Sequence, residues 1–256
     1  MCHETTARPP LPPISGGAGA ASSERLLLDA ADGNRLRAFA ATAIDPEAAG
    51  VVILPDVRGL HPFYEDLAVR FAEAGIHAIA MDYFGRTAGI GERDEDFDFM
   101  AHVPQVTTKG LRADVAAAIA HVRSEAGGAA RSVFTVGFCM GGRFSFNQAA
   151  DQELDGVIGF YGGPQGRGPE DDRAPVRLAP WYRCPVLGLF GGADESIPRE
   201  TIDGFHDALD AAGVTNEMVV YEGAPHSFFD RTYENHREAC DDAWRRVLSF
   251  VRAGST

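Results

Sequence analysis

Short, nearly all-apolar runs alternate along this chain with longer stretches in which apolar residues recur every three or four positions. The runs are Val51–Leu54, Ile76–Met81, 132–136, 156–160, 185–190 and 217–221. Four to six such residues bounded by turn formers are the pattern of a strand buried on both faces. Phe63, Leu67, Phe71 and Ala74 predict a helix over 63–74 that Gly75 ends. Leu111, Val115, Ala118, Ile119 and Val122 predict another over 107–125, and three more are expected over 140–150, 198–211 and 234–252. Near the start, Arg25–Asp29 and Leu36–Ala41 flank Asp32-Gly33-Asn34, which reads as a hairpin. Strands alternating with helices need right-handed crossovers, so the expected fold class is α/β: one mostly parallel sheet covered by helices on both faces.

Two polar, glycine-bearing excursions, 84–106 and 162–182, interrupt the alternation and are expected to shape a pocket rim. Residues 1–23 are rich in Pro, Gly, Ala and Ser and are expected to form a mobile tail, leaving 24–256 as a single domain without internal repeats. A hydrophobic content of 45% in 256 residues is enough for a sizeable core. The net charge of −14 argues against nucleic acid as a partner, because phosphate binding needs a basic face. No apolar run approaches the roughly 18 residues that span a bilayer, so no membrane partner is expected, and Met1–Ala21 lacks the form of a signal peptide. Cys2, Cys139, Cys184 and Cys240 are widely spaced with no C-x-x-C pair, which points to free thiols in a reducing cytoplasm rather than disulfides or zinc. His3 beside Cys2 on a tail makes no metal site.

The residues at the ends of the predicted strands carry the chemistry, because sites in an open parallel sheet form beyond the carboxyl ends. The strand over 132–136 runs into Gly137-Phe138-Cys139-Met140-Gly141-Gly142 and then a helix. This is a nucleophile elbow, G-x-S-x-G with cysteine in the serine's place. Small residues at 137 and 141 are needed because a Cβ there would strike the neighbouring strand and helix. The helix N-terminus favours a thiolate at Cys139 and later an oxyanion. Gly191-Gly192-Ala193-Asp194 and Glu222-Gly223-Ala224-Pro225-His226 follow two later strands. Nucleophile, acid, histidine is the chain order of the α/β-hydrolase fold. In that reading Cys139 attacks an acyl carbon, His226 moves the proton and Asp194 orients the imidazole.

These motifs together resemble the dienelactone hydrolases (carboxymethylenebutenolidases) of the α/β-hydrolase superfamily. Gly-Phe-Cys-Met-Gly-Gly is similar to that family's elbow, Gly-Gly-Ala-Asp-Glu-Ser-Ile-Pro to its acid loop and Gly-Ala-Pro-His-Ser-Phe to its histidine loop. The resemblance covers 24–252 and implies a carboxylic ester or lactone hydrolase, an acyl-thiol intermediate and no cofactor. It implies an oxyanion hole made by the backbone N–H groups of Val57 and Met140. It further implies that Asp56 stands where a glutamate modulates the thiol, and that Arg86 of Tyr83-Phe84-Gly85-Arg86 binds a substrate carboxylate. A second carboxylate-binding arginine is replaced by Asp230, with Arg231 one position later.

Further candidates are less specific. Arg58 could face the pocket or solvent. His61 and His102 lie near pocket-edge segments, and Phe84, Phe97, Phe99, Phe228 and Phe229 could line an apolar pocket or simply pack the core. The Asp94, Glu95, Asp96 and Asp98 run reads as solvated rather than as a cation site, so no metal is expected, and Cys184 and Cys240 read as incidental thiols. The expected partner is a small-molecule ester or lactone, with the protein a monomer or small homo-oligomer. A thioesterase or general carboxylesterase, and a non-enzymatic small-ligand-binding scaffold, are the alternatives.

Overall fold

A computed structural model describes residues 7–13, 20–44, 49–166, 171–230 and 232–255. Eight strands form one sheet in the order β1-β2-β4-β3-β5-β6-β7-β8. They are β1 (Ala20–Asp29), β2 (Arg35–Ala43), β3 (Ala49–Leu54), β4 (His77–Met81), β5 (Ser132–Phe138), β6 (Gly156–Phe160), β7 (Val186–Gly191) and β8 (Asn216–Tyr221). β1 and β2 form the predicted antiparallel hairpin and β2 pairs antiparallel with β4, while β4, β3, β5, β6, β7 and β8 run parallel. This is an α/β-hydrolase sheet, as the alternation of runs and helices predicts.

The β3 side chains show why the run is apolar throughout. Val51 and Ile53 join the core on one face and Val52 and Leu54 the core on the other, because successive strand residues point to opposite sides. Helix α1 (Pro62–Glu73) packs Phe63, Leu67 and Phe71 on the first face, where α5 (Arg237–Ala253) adds Trp244 and Val247. Helix α2 (Thr108–Arg123) packs Leu111, Val115 and Ile119 on the second. Its start is capped by the Thr107 hydroxyl, which accepts from the Gly110 N–H at 3.1 Å. Helices α3 (Met140–Asp151) and α4 (Arg199–Ala211) complete the crossovers. Among the described residues the two excursions hold only short helices of about one turn, such as Gly85–Ala88, Phe99–His102 and Pro175–Leu178.

The amino-terminal segment differs from the expected mobile tail wherever it is described. β1 begins at Ala20 rather than Arg25, and residues 7–13 lie on the domain. Pro9, Pro10 and Pro12 are buried, and the Trp244 indole Nε1–H donates to the Pro10 carbonyl at 3.0 Å. A proline-rich segment can dock without forming an element, since proline brings apolar surface and little backbone freedom to lose. Cys2 and His3 lie outside the described residues.

The register aligns the carboxyl ends of the central strands. Leu54 pairs with Gly137, Phe138 with Phe160, and Gly191 with Tyr221, so the loops after β3, β5, β6, β7 and β8 stand side by side along one edge.

Candidate active site

Cys139 sits at the turn between β5 and α3 with φ 54° and ψ −114°, backbone angles that a side chain rarely adopts. Its N–H donates to the Phe160 carbonyl at 3.0 Å, which ties the turn to β6. The glycines around it are required by close approach. A Cβ on Gly137 would lie 2.0 Å from the Gly141 carbonyl oxygen, and one on Gly141 would lie 2.1 Å from that of Leu54 and 2.2 Å from that of Pro55. The elbow therefore presses against the loop after β3, which is where an oxyanion donor is expected.

Two strands further on, the His226 Nδ1 is 2.6 Å from Asp194 Oδ2. A carboxylate can only accept, so the proton of this bond is on Nδ1, and in the neutral ring Nε2 then carries the lone pair. Asp194 is oriented in turn by Ser196, whose N–H and hydroxyl both donate to Oδ1, at 2.9 and 2.6 Å. Burial alone would raise the Asp194 carboxyl, but the hydrogen bonds from His226 and Ser196 hold it below its ordinary pKa. The acid and histidine loops also touch backbone to backbone: a Cβ on Gly191 would lie 2.4 Å from the Ala224 carbonyl oxygen. Tyr161, which follows β6, sets its ring 4.9 Å from the imidazole of His226 and so spans from the elbow's strand neighbour to the histidine.

The loop after β3 is held from several directions. The Asp56 N–H donates to the Tyr64 hydroxyl at 2.9 Å, the Tyr83 hydroxyl donates to the Pro55 carbonyl at 2.8 Å, and the Gly59 N–H donates to the Asp56 carbonyl at 3.1 Å. Among the described residues no protein acceptor takes the N–H of Val57 or of Met140, the first residue of α3. Two such donors at the mouth of the elbow are what an oxyanion requires.

The sequence profile of the dienelactone hydrolase family matches residues 36–255, the whole of this arrangement. The chain belongs to that family. It is therefore a hydrolase. It is 31% identical over 208 residues to the Escherichia coli (strain K12) protein named "Putative carboxymethylenebutenolidase", covering 79% of this chain and 76% of that one. The Salmonella typhimurium protein of the same name is 32% identical over 206 residues, with 78% and 75% covered. A crystal structure named "Putative Dienelactone Hydrolase" from Klebsiella pneumoniae superposes with a TM-score of 0.72 at 31% identity, over 90% of this chain and 98% of that one.

Against the pattern expected of a dienelactone hydrolase, three positions differ. Arg86 does not face an open carboxylate site. Its Nη1 and Nη2 donate to Asp32 at 2.8 and 2.9 Å, and its Nη2 and Nε donate to Asp114 at 2.8 and 3.0 Å, so it clamps the β1–β2 turn to α2. The expected substrate role of Arg86 is corrected accordingly, because its charge is already answered by two carboxylates. Asp56 is fully buried and forked by Arg58, with Nη2 to Oδ2 at 2.7 Å and Nε to Oδ1 at 3.1 Å. Burial would raise this carboxyl, but His61 at 3.9 Å and the Arg58 guanidinium hold it well below the usual range. Arg231 lies outside the described residues, and Asp230 beside it is buried.

The remaining candidates separate cleanly. Arg58 faces inward, and His61 is buried against Tyr64. His102 stacks on Phe97 at 5.2 Å. Phe84, Phe228 and Phe229 are core, whereas Phe97 and Phe99 are half-buried and line a cavity. Cys184 and Cys240 are buried, with thiols pushed up to about 12 by desolvation, and only Cys139 of the described cysteines is half-exposed. Among the described residues no group of three or more His, Cys, Asp or Glu could hold a metal ion, and no helix is long and apolar enough to cross a membrane. A groove of about 720 Å³ between β8 and α5 includes none of Cys139, Asp194 and His226.

Sequence reasoning missed Ser196, Tyr64, Tyr83 and the Tyr161 contact. Ser196 had a local signal, since a serine two residues after an aspartate commonly bonds back to it. The tyrosines had none, because each reaches its loop from a different element.

Proposed function

We propose that this hydrolase cleaves uncharged carboxylic esters or lactones through Cys139, His226 and Asp194, by way of an acyl-thiol. His226 Nε2 takes the thiol proton as Sγ attacks the acyl carbon. The tetrahedral oxyanion is held by the N–H groups of Val57 and Met140. Collapse breaks the acyl–oxygen bond, and the departing alkoxide takes the proton from His226; in a lactone it stays tethered to the acyl group. Water then attacks the thioester, giving its proton to His226, and a second collapse returns that proton to sulfur and releases the acid. Asp194 keeps the imidazole in the Nδ1–H tautomer and stabilises its protonated form.

The observation that carries this reading is the 2.6 Å His226–Asp194 bond at strand ends beside an elbow cysteine of φ 54°. Such a pairing does not support a non-enzymatic scaffold, which needs no oriented imidazole. A thiol nucleophile must stay reduced to react, which suits a reducing compartment, and on that ground we assign the enzyme to the cytoplasm. Cys139→Ala should lower turnover of an aryl ester by about 10⁴-fold or more with the fold intact, and iodoacetamide should abolish activity at one equivalent. Full activity in Cys139→Ala would refute the nucleophile. The uncharged substrate class is supported by Arg86, whose charge is already engaged by Asp32 and Asp114. Dienelactone, which carries a carboxylate, should have kcat/KM at least about tenfold below a neutral aryl ester; equal or better use of dienelactone would overturn that class.

A further inference from the structure

The loop after β3 closes a turn over Asp56-Val57-Arg58-Gly59 in which every N–H but one is taken. The Asp56 N–H donates to the Tyr64 hydroxyl at 2.9 Å, that of Arg58 to Asp56 Oδ1 at 2.8 Å, and that of Gly59 to the Asp56 carbonyl at 3.1 Å. Leu60, the next residue, donates to Asp82 Oδ1 at 3.3 Å. Only Val57 of this segment has no acceptor among the described residues.

The direction of that N–H is set by its own peptide unit. The Asp56–Val57 bond is trans, and in a planar trans peptide the N–H points opposite to the C=O. The Asp56 carbonyl accepts from the Gly59 N–H and also from the Tyr83 hydroxyl, whose one proton lies between this oxygen and that of Pro55. Tyr83 stands just beyond β4, which borders β3 on one side, and the elbow stands just beyond β5, which borders it on the other. A carbonyl drawn toward the β4 side therefore turns the Val57 N–H toward the β5 side, where Cys139 is.

Tyr83 is built to hold that orientation. Its ring is buried and meets Phe84 and Phe144 edge-on, at 4.9 and 5.7 Å. Burial, followed by the charge of Asp56, pushes its phenol pKa well above the ordinary value, so the hydroxyl remains a donor across the neutral range.

We infer that Tyr83 is a positioning residue of the oxyanion hole, its hydroxyl fixing the Asp56–Val57 peptide so that the Val57 N–H faces the acyl oxygen. A hydrogen bond accepted by a peptide carbonyl also polarises the N–H of the same unit, which strengthens it as a donor. The inference rests on the hydrolase reading above, in which that N–H meets the oxyanion.

Two reactions of one thiol separate this role from general support of the site. Ester hydrolysis passes through an oxyanion, whereas alkylation of Cys139 by iodoacetamide is a displacement that forms none. In Tyr83→Phe, kcat for an aryl ester should fall about tenfold, the effect of one hydrogen bond. Acylation and deacylation both use the hole, so KM should change by less than about twofold, as should the alkylation rate. A loss below about twofold, or an equal loss of hydrolysis and alkylation, would overturn the role. Tyr83→3-fluorotyrosine keeps the shape and strengthens the donor, so it serves if Tyr83→Phe does not fold. The ratio of hydrolysis to alkylation should then rise by up to about twofold, and an unchanged ratio would count against the role. Val57→Pro deletes the N–H itself, and proline suits the second position of such a turn. Adding Tyr83→Phe to it should cost less than about twofold more, whereas a further tenfold loss would show that Tyr83 acts elsewhere. If iodoacetamide spares ester turnover in the unaltered enzyme, the nucleophile assignment fails; thiol-dependent turnover indifferent to Tyr83→Phe defeats only the positioning role.

Discussion

The two halves of the strand-end rim are built by different means. From β5 to β8 the loops touch through backbone: Gly142 would strike the Phe160 carbonyl at 2.6 Å and Gly191 that of Ala224 at 2.4 Å if either carried a Cβ. The segments after β3 and β4 are held by charged side chains instead, internally by Asp56–Arg58 and Asp82–Arg93, and to the β1–β2 turn and α2 by Arg86 with Asp32 and Asp114. Backbone contact leaves little room for variation, so the half that carries the proposed triad is fixed by its glycines. Ion pairs can be rewired by single substitutions, and two of the three positions that depart from what the family motifs imply, Asp56 and Arg86, lie in this half.

The largest effect should come from the fixed half. Asp194→Asn keeps the shape but removes the charge that holds Nδ1–H, so the imidazole loses its orienting partner. Turnover of an aryl ester should fall by about 10³- to 10⁴-fold. The carboxyl's depressed pKa keeps it ionised through the neutral range in the unaltered enzyme, so this loss should persist across neutral pH. A loss below about tenfold would show that the backbone-built half does not carry the reaction.

The contrast between the halves also explains what could be read from sequence. Apolar runs and glycine-bounded turns are local, so every central strand was legible to within about two residues at its ends, and the residues just beyond the strands were the right ones to inspect. The proposed roles of Cys139, Asp194 and His226 rest on that reasoning alone. The fate of Arg86 was not legible, since its partners are 54 and 28 positions away and meet it only through the hairpin and the α2 crossover. Arg58 and Asp56 are two residues apart, yet a turn that folds one side chain back on the other leaves no period in the sequence. His61 offered even less. Its burial follows from how α1 docks, and a lone histidine at a helix start is ordinarily a surface residue.

An intermediate effect should come from breaking the buried pair. Arg58→Met leaves the Asp56 carboxylate, which is 0% exposed, without its fork, and should destabilise the fold by about 3 kcal/mol in urea unfolding. Asp56→Asn added to it should recover most of that loss, because no buried charge then remains. The pH dependence has a definite sign. The folded-state pKa of Asp56 is depressed, so its contribution in the unaltered protein is present above the unfolded carboxylate value near 4 and is lost as pH falls toward the lower folded one. The gap between the unaltered protein and Arg58→Met should therefore narrow on acidification below about pH 4. A gap independent of pH, or no recovery in the double variant, would mean that Arg58 acts by packing alone.

The smallest effect on catalysis should come from Arg86, and it separates the two halves most sharply. If Arg86 held a substrate carboxylate, Arg86→Met would raise KM for a carboxylated lactone by tenfold or more and spare neutral esters. The clamp geometry leads elsewhere. Asp114, with a side chain only 1% exposed, would lose its cation and keep only the Asn34 amide at 2.9 Å. The cost should appear as stability, about 1–2 kcal/mol, with KM for both substrate types changed by less than about twofold. Asp32→Asn, at the exposed end of the same clamp, should move the melting temperature by no more than about 1 °C, since an exposed ion pair contributes little in water. Burial of the partner, rather than the number of hydrogen bonds, would then set the strength of each arm. That ordering is what identifies Arg86 as a fastening between the hairpin and α2 instead of a substrate ligand.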